Sequence, residues 1–298
     1  MIHSTTYLRA IGFALASFTS WVVADVLMKL AGEAHLPPYE IVAFLGIASV
    51  LFILLMVIYN KEGVKSLRPN CWWKQSLRAL LVFGQNIFLV IALNHLPLVP
   101  FYVIVFVAPL IVTLLAAILL HEKLSIVSVI AIVSGFSGVV LAINPFQHDI
   151  QGSWIGYLAA LANTTCFALN TVWLRVMTQS ESTNSLAFFE ALYSTLLCGL
   201  FMLFQPIKAI YPNTFLILIG MALFALVGNI WQYKALNLAK AATVMQFHYT
   251  QIISGALFGY LIWHEIPTWA CVIGSCVIIA SGMAVAAHTH RAAKIHNS

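Results

Sequence analysis

Asp25 is a carboxylate inside an apolar stretch long enough to cross a bilayer. An ionisable group there costs about 2.5–3.5 kcal/mol on insertion scales, so Asp25 is expected to face a cavity or a partner. Trp21, Asp25 and Lys29 follow at i, i+4 and i+8, which puts them on one helix face. Two readings follow. Asp25 binds a cationic substrate group or a coupling proton, with Trp21 as an aromatic wall. Alternatively it forms an internal ion pair with Lys29, whose head snorkels to the outer interface.

Uncharged polar groups recur in other apolar stretches. Gln85 and Asn86 share one, and Asn229 and Gln232 share another. Amides donate and accept, so these four could line a common polar cavity or bond helix to helix. Gln246, His248, Tyr249 and Gln251 crowd one and a half turns, so part of that face must be internal. Tyr102 is a further candidate. Asn163, Asn170 and Trp173 give one stretch a polar face, of which Asn170 is the substrate candidate. Glu190 reads as interface-exposed. Glu122 and Glu265 end apolar stretches and, with Pro109, read as structural or gating elements.

These residues must be held by elements that lipid dissolves. Hydrophobic residues make up 62% of the 298 and charged ones 8%, against about 25% charged in a soluble domain. Cutting at polar and proline breaks leaves ten stretches near the roughly 20 residues a spanning helix needs. They are Leu8–Met28, Tyr39–Tyr59, Gln75–Leu93, Leu98–Leu119, Ile126–Ile143, Ser153–Leu174, Leu186–Phe204, Thr214–Lys234, Ala242–Trp263 and Pro267–Ala287. The first lacks a cleavage site and reads as a retained helix. With both termini cytoplasmic, the inside segments take Arg9, the five basic residues from Lys61 to Arg78, Lys123, Arg175, Lys234, Lys240, Arg291 and Lys294; only Lys29 and Lys208 fall outside. That bias is the positive-inside pattern, and it explains the net charge of +5 without nucleic acid.

The halves repeat. Ala92-Leu93-Asn94 lies over Ala235-Leu236-Asn237, and the same offset of 143 sets Asn86 on Asn229 and His121-Glu122 on His264-Glu265. Five helices is an odd number, so the second copy enters the membrane from the opposite side. The expected fold is an all-α integral membrane protein of ten transmembrane helices in two inverted-topology repeats, 1–145 and 146–298, the second carrying a cytoplasmic tail. Such duplications serve alternating access around a midplane site.

The run Ala92–Glu122 followed by the glycine-bearing Ile130–Leu141, matched by Ala235–Glu265 and then Gly274–Gly282, resembles the EamA-type branch of the drug/metabolite transporter superfamily. That resemblance implies a carrier without fixing its substrate. A narrower likeness rests on Thr6-Tyr7-Leu8 with Gly12, on Ala24-Asp25-Val26-Leu27-Met28-Lys29 and on Trp263-His264-Glu265-Ile266-Pro267. These look like the S-adenosylmethionine uptake carriers of intracellular bacteria.

The expected function is a secondary-active transporter of a small metabolite, S-adenosylmethionine or another cationic or amphipathic one, across a bacterial inner membrane. An exporter of amino acids, flavins or drugs with the same fold stays open, as do a coupling proton and an exchange solute. Direct ATP coupling lacks its glycine-rich loop. A membrane enzyme lacks a catalytic constellation, since no HExxH occurs and the two His-Glu pairs are 143 residues apart. No cofactor or metal is expected: the five cysteines are scattered without metal spacing, and His288, His290 and His296 read as an exposed tail. Small residues such as Ser134, Gly135, Gly138, Gly255 and Gly259 serve either a homodimer or contacts between the repeats.

Overall fold

The computed structural model describes residues 2–119, 126–143, 152–205, 208, 211–239 and 244–295, and every regular element among them is helical. In chain order these are α1 (Ile2–Glu33), α2 (Pro38–Tyr59), α3 (Trp72–His95), α4 (Leu98–Val105), α5 (Ala108–Leu119), α6 (Ile126–Ile143), α7 (Trp154–Met177), α8 (Thr183–Met202), α9 (Pro212–Leu238), α10 (Thr250–Trp263) and α11 (Trp269–Ile295). Short 3₁₀ turns cover Val64–Leu67 and Met245–Tyr249. Seven stretches are long and apolar enough to cross a membrane, and Val129–Ala142 and Trp269–Ala284 are shorter apolar helices. Leu51, Leu55, Leu158, Leu216 and Ile253 point outward, as they must where lipid is the solvent. This is a multi-pass membrane protein.

Leu98–Leu119, expected as one helix, is two. α4 stops at Val105 and α5 starts at Ala108, because Pro109 has no N–H to give and its ring collides with the carbonyl four residues back. The ninth stretch is also irregular, running as the 3₁₀ turn Met245–Tyr249 before α10. The offset of 143 places that turn over Tyr102–Phe106, the last turn of α4 and the first residue of its break, so both stretches lose the continuous α-helix in the same region.

α3 and α8 each begin three residues earlier than expected. α3 starts at Trp72, and α8 starts at Thr183 because the Ser182 hydroxyl accepts the Ser185 N–H at 3.0 Å. Arg78 and Glu190 thereby lie about 9 and 10 Å into their helices at 1.5 Å per residue, well away from the ends. His121-Glu122 lies outside the described residues.

The dominant packing joins the first half of the chain to the second: α1 on α9, α3 on α7, α2 on α8, α6 on α11 and α4 on α10. Small residues allow this. A side chain at Gly274 would meet the Gly138 carbonyl, and the Ser134 and Ser281 hydroxyls bond at 2.8 Å. Gly255 accommodates the ring of Tyr102, and Gly259 lies against the Glu265 carboxylate. These glycines and serines serve contacts inside the chain.

Candidate functional site

A cavity with about 1030 Å³ of unfilled space, its mouth included, lies where the two halves meet. α1 supplies Trp21 and Asp25, α3 Gln85 and Asn86, α4 Tyr102, and α7 Asn163, Phe167 and Asn170. α8 adds Glu190, α9 Asn229, Gln232 and Tyr233, the 3₁₀ turn His248, and α10 Gln251. Among the described residues, none of the lining comes from α6 or α11.

Asp25 is half-buried and accepts a hydrogen bond from the Tyr102 hydroxyl at 2.9 Å. It is not paired with Lys29. Lys29 is itself buried, 8% exposed, and lies 2.6 Å from Glu265 Oε1. Neither the expected Asp25–Lys29 pair nor a snorkelling Lys29 is present, because Glu265 comes within reach from the other half. It does so through the way α10 ends. His264 takes a left-handed conformation, φ 54°, its N–H donates to the Tyr260 carbonyl, and the Glu265 N–H donates to the Gly259 carbonyl. The four-residue bond from His264 is that of a left-handed (αL) helix end, and the turn carries Glu265 back along its helix. Glu265 Oε2 accepts the Leu98 N–H at 2.8 Å, capping α4. The backbone group that Glu265 bonds therefore belongs to the opposite half.

Glu190 was expected at an exposed interface and is instead 9% exposed at the centre of a network. Arg78, counted above among interface charges, is fully buried and lies 2.7 Å from Glu190 Oε2. The Tyr233 hydroxyl donates to the same oxygen, and Asn229 Nδ2 donates to Oε1 at 2.8 Å. Trp21 Nε1 donates in turn to Asn229 Oδ1 at 2.9 Å. One chain of bonds therefore runs from α1 through α9 and α8 to α3. Both carboxyl oxygens of Glu190 are engaged, whereas Asp25 has one hydroxyl partner and no cationic partner among the described residues.

Trp21, Asp25, Gln85, Asn86, Tyr102, Asn170, Asn229, Gln232, His248 and Gln251 all reach this cavity. Tyr249 does not. Its ring packs on Gly282 of α11, since consecutive residues of a 3₁₀ turn point about 120° apart and His248 takes the inward direction. The side chain of Gln246 lies outside the described set. Trp173 turns from the cavity to meet Trp73 edge-on at 6.3 Å. Pro109 serves through the helix break. The aromatic wall contains Trp21, Phe167 and His248: Phe167 lies nearly parallel to His248 at 5.3 Å and edge-on to Trp21 at 5.7 Å. Phe167 and Tyr233 are lining residues that the sequence reading missed, for an apolar or aromatic side chain in an apolar helix carries no distinguishing signal.

Sequence comparison decides the family. The model of the EamA-like transporter family matches residues 8–144 and again 154–286. The chain belongs to the EamA-like transporter family. It is a membrane transporter rather than an enzyme, and small-molecule transport is what its EamA-like relatives share. An S-adenosylmethionine uptake transporter of Rickettsia prowazekii is 26% identical, across 92% of this chain and 91% of that one. The human solute carrier family 35 member G1 is 26% identical, across 92% and 78% respectively. The pseudopaline exporter CntI of Pseudomonas aeruginosa is 25% identical, across 91% and 93%. A crystal structure of 19% identity shares the fold, with a TM-score of 0.66 and coverage of 92% of this chain and 95% of that one.

Proposed function

We propose that this EamA-like protein is a secondary-active carrier for a small cationic, amphipathic metabolite, S-adenosylmethionine being the first candidate. It would work by alternating access across a bacterial inner membrane with both termini cytoplasmic. One observation carries the reading: Asp25, without a cationic partner among the described residues, faces an aromatic-walled cavity between the halves of the chain. A carboxylate in that setting is complementary to a positive charge, and rings such as Trp21 add cation–π attraction. A sulfonium with an amino-acid tail carries a surplus positive charge of that kind. The relatives named for S-adenosylmethionine uptake support the same choice.

The ten-helix, inverted-repeat arrangement is part of this proposal. Exchanging each half for the other converts the α1–α9 contact into the α7–α3 contact and returns α2–α8, α4–α10 and α6–α11 to themselves. The two separate family matches favour the same division. Interrupted helices at corresponding positions of two repeats are a pointer to a transporter's site; His248 comes from the 3₁₀ turn, and Tyr102 lies one turn before the break that follows α4. Glu265 and Lys29 would close one end of the cavity.

Uptake of labelled S-adenosylmethionine by cells expressing the chain tests this. Saturable uptake should fall at least tenfold in Asp25→Asn while membrane expression is unchanged. Normal uptake by Asp25→Asn would remove α1 from the site, and no uptake above the vector background would remove S-adenosylmethionine as the substrate.

A further inference from the structure

We propose that the cavity contains a second, uncharged subsite between α3 and α7 that reads the edge of an adenine-type base, so that the cargo is a positively charged nucleoside. The inference rests on the carrier reading above and names the class of substrate. Its basis is a division among the cavity amides. Asn163 Nδ2 bonds the Gln85 carbonyl at 3.0 Å, Gln251 Nε2 bonds the Phe18 carbonyl at 3.1 Å, and Asn229 is bonded at both ends. These three hold the walls together.

Gln85, Asn86, Asn170 and Gln232 line the same cavity, and none has a side-chain hydrogen bond among the described residues. Gln85 Oε1, Asn170 Oδ1 and Gln232 Nε2 are buried and without partners. Buried polar atoms are ordinarily paired, so a group of unpaired amides on one cavity is a set of bonds left for a ligand. A carboxamide offers a donor and an acceptor side by side in one plane. A carboxylate or an ammonium satisfies only half of it. Adenine presents the complement, an amino group beside a ring nitrogen, and Asn or Gln bonds it in bidentate fashion.

The surroundings fit a base. Phe167 precedes Asn170 by three residues, so a ring and a free amide share one face of α7. The Asn163–Gln85 bond fixes α3 against that face. Trp21 meets Phe167 edge-on, and Asp25 lies one turn, about 6 Å, further along α1. Charge subsite and base subsite therefore meet at Trp21, within the reach of one nucleoside carrying a cationic substituent.

Competition against labelled S-adenosylmethionine uptake tests the assignment, with adenosine, purine riboside (the same nucleoside without the amino group) and S-methylmethionine (a sulfonium without a base). In the parent protein adenosine should compete at least tenfold better than purine riboside. Asn170→Leu should abolish that preference and leave competition by S-methylmethionine unchanged; Asn86→Leu carries the same expectation should Asn170→Leu not fold. Equal competition by the two nucleosides in the parent protein overturns the subsite while leaving the carrier reading intact. If S-adenosylmethionine is not taken up at all, it is removed as the substrate and the competition assay has no label. The subsite is then decided on purified protein: a rise in Tm with adenosine and not with purine riboside supports it, and no difference overturns it.

Discussion

Lys29 and Glu265 are 236 residues apart in sequence and 2.6 Å apart in space. The lysine comes from α1 and the glutamate from the turn that ends α10, and the second glutamate oxygen holds the Leu98 N–H at the start of α4. Lys29 also stands 4.4 Å over the Trp263 ring, whose Nε1 donates to Glu33. A single carboxylate thus fastens α1, α4 and α10 at one end of the cavity. A charge-assisted bond of this kind is short and strong, and removing one partner leaves the other charge uncompensated.

Removing that carboxylate's charge should loosen this end. In a background with the native cysteines replaced, an Ala24→Cys reporter on the cavity wall is expected to react severalfold faster with a membrane-impermeant thiol reagent in Glu265→Gln than in the parent. Lys29→Ala should give the same acceleration, and the double variant no more than either alone. Equal reaction rates in all four proteins would show that this pair does not close the cavity.

Arg78 and Glu190 make the other buried pair, and here the expected effect is on stability. Removing one partner leaves the other charged, buried and unpaired, which destabilises by about 3–5 kcal/mol. Arg78→Ala should lower the Tm of the detergent-solubilised protein substantially. Arg78→Leu combined with Glu190→Leu should lower it less than either single change. Additive losses in the double variant would contradict the coupling that the 2.7 Å contact implies.

Gly255 ties a packing requirement to the carboxylate of the cavity. A Cβ there would lie 2.4 Å from the Tyr102 ring, so Gly255→Ala must push aside the hydroxyl that bonds Asp25. Gly255→Ala and Tyr102→Phe are expected to weaken substrate affinity by similar factors, about tenfold at 1.4 kcal/mol per decade. Gly199→Ala, where nothing lies within 4 Å, serves as the control and should transport normally. A harmless Gly255→Ala would mean that Tyr102 does not position Asp25.

The membrane class and the family were legible in the sequence because lipid leaves few ways to fold: long apolar runs, and a repeat preserved at one offset. The residues near the cavity were legible for a related reason, since polar groups in such runs must turn inward, as Asn170, Asn229 and His248 do. The same rule applied to Glu190 and Arg78 would have brought them in. They were lost because the expected helix starts, Leu186 and Gln75, left both near an interface, while the real starts at Thr183 and Trp72 carry them inward. Lys29 was lost differently. Asp25 is its neighbour one turn away on the same helix, and only the three-dimensional packing of α1 against the end of α10 shows that Glu265 takes its place.

Trp21 offers the narrowest test of the network, because its two contributions separate. Its ring meets Phe167 edge-on at 5.7 Å and its Nε1 donates to Asn229 Oδ1 at 2.9 Å. Trp21→Phe keeps an aromatic face and deletes the donor, leaving one amide acceptor unpaired, a loss of about 1–3 kcal/mol if it stays dry. Asn229 would then be free to turn, and the bond it donates to Glu190 would loosen with it. Trp21→Phe is expected to raise the KM for uptake about tenfold with little change in the amount of folded protein. Trp21→Ala, which also empties the space beside Gly228, should raise the KM at least as much and reduce the amount of folded protein as well. If Trp21→Phe transports with the parent KM, the chain of bonds from α1 to α3 is architecture alone, and the contribution of Trp21 to the cavity is its ring.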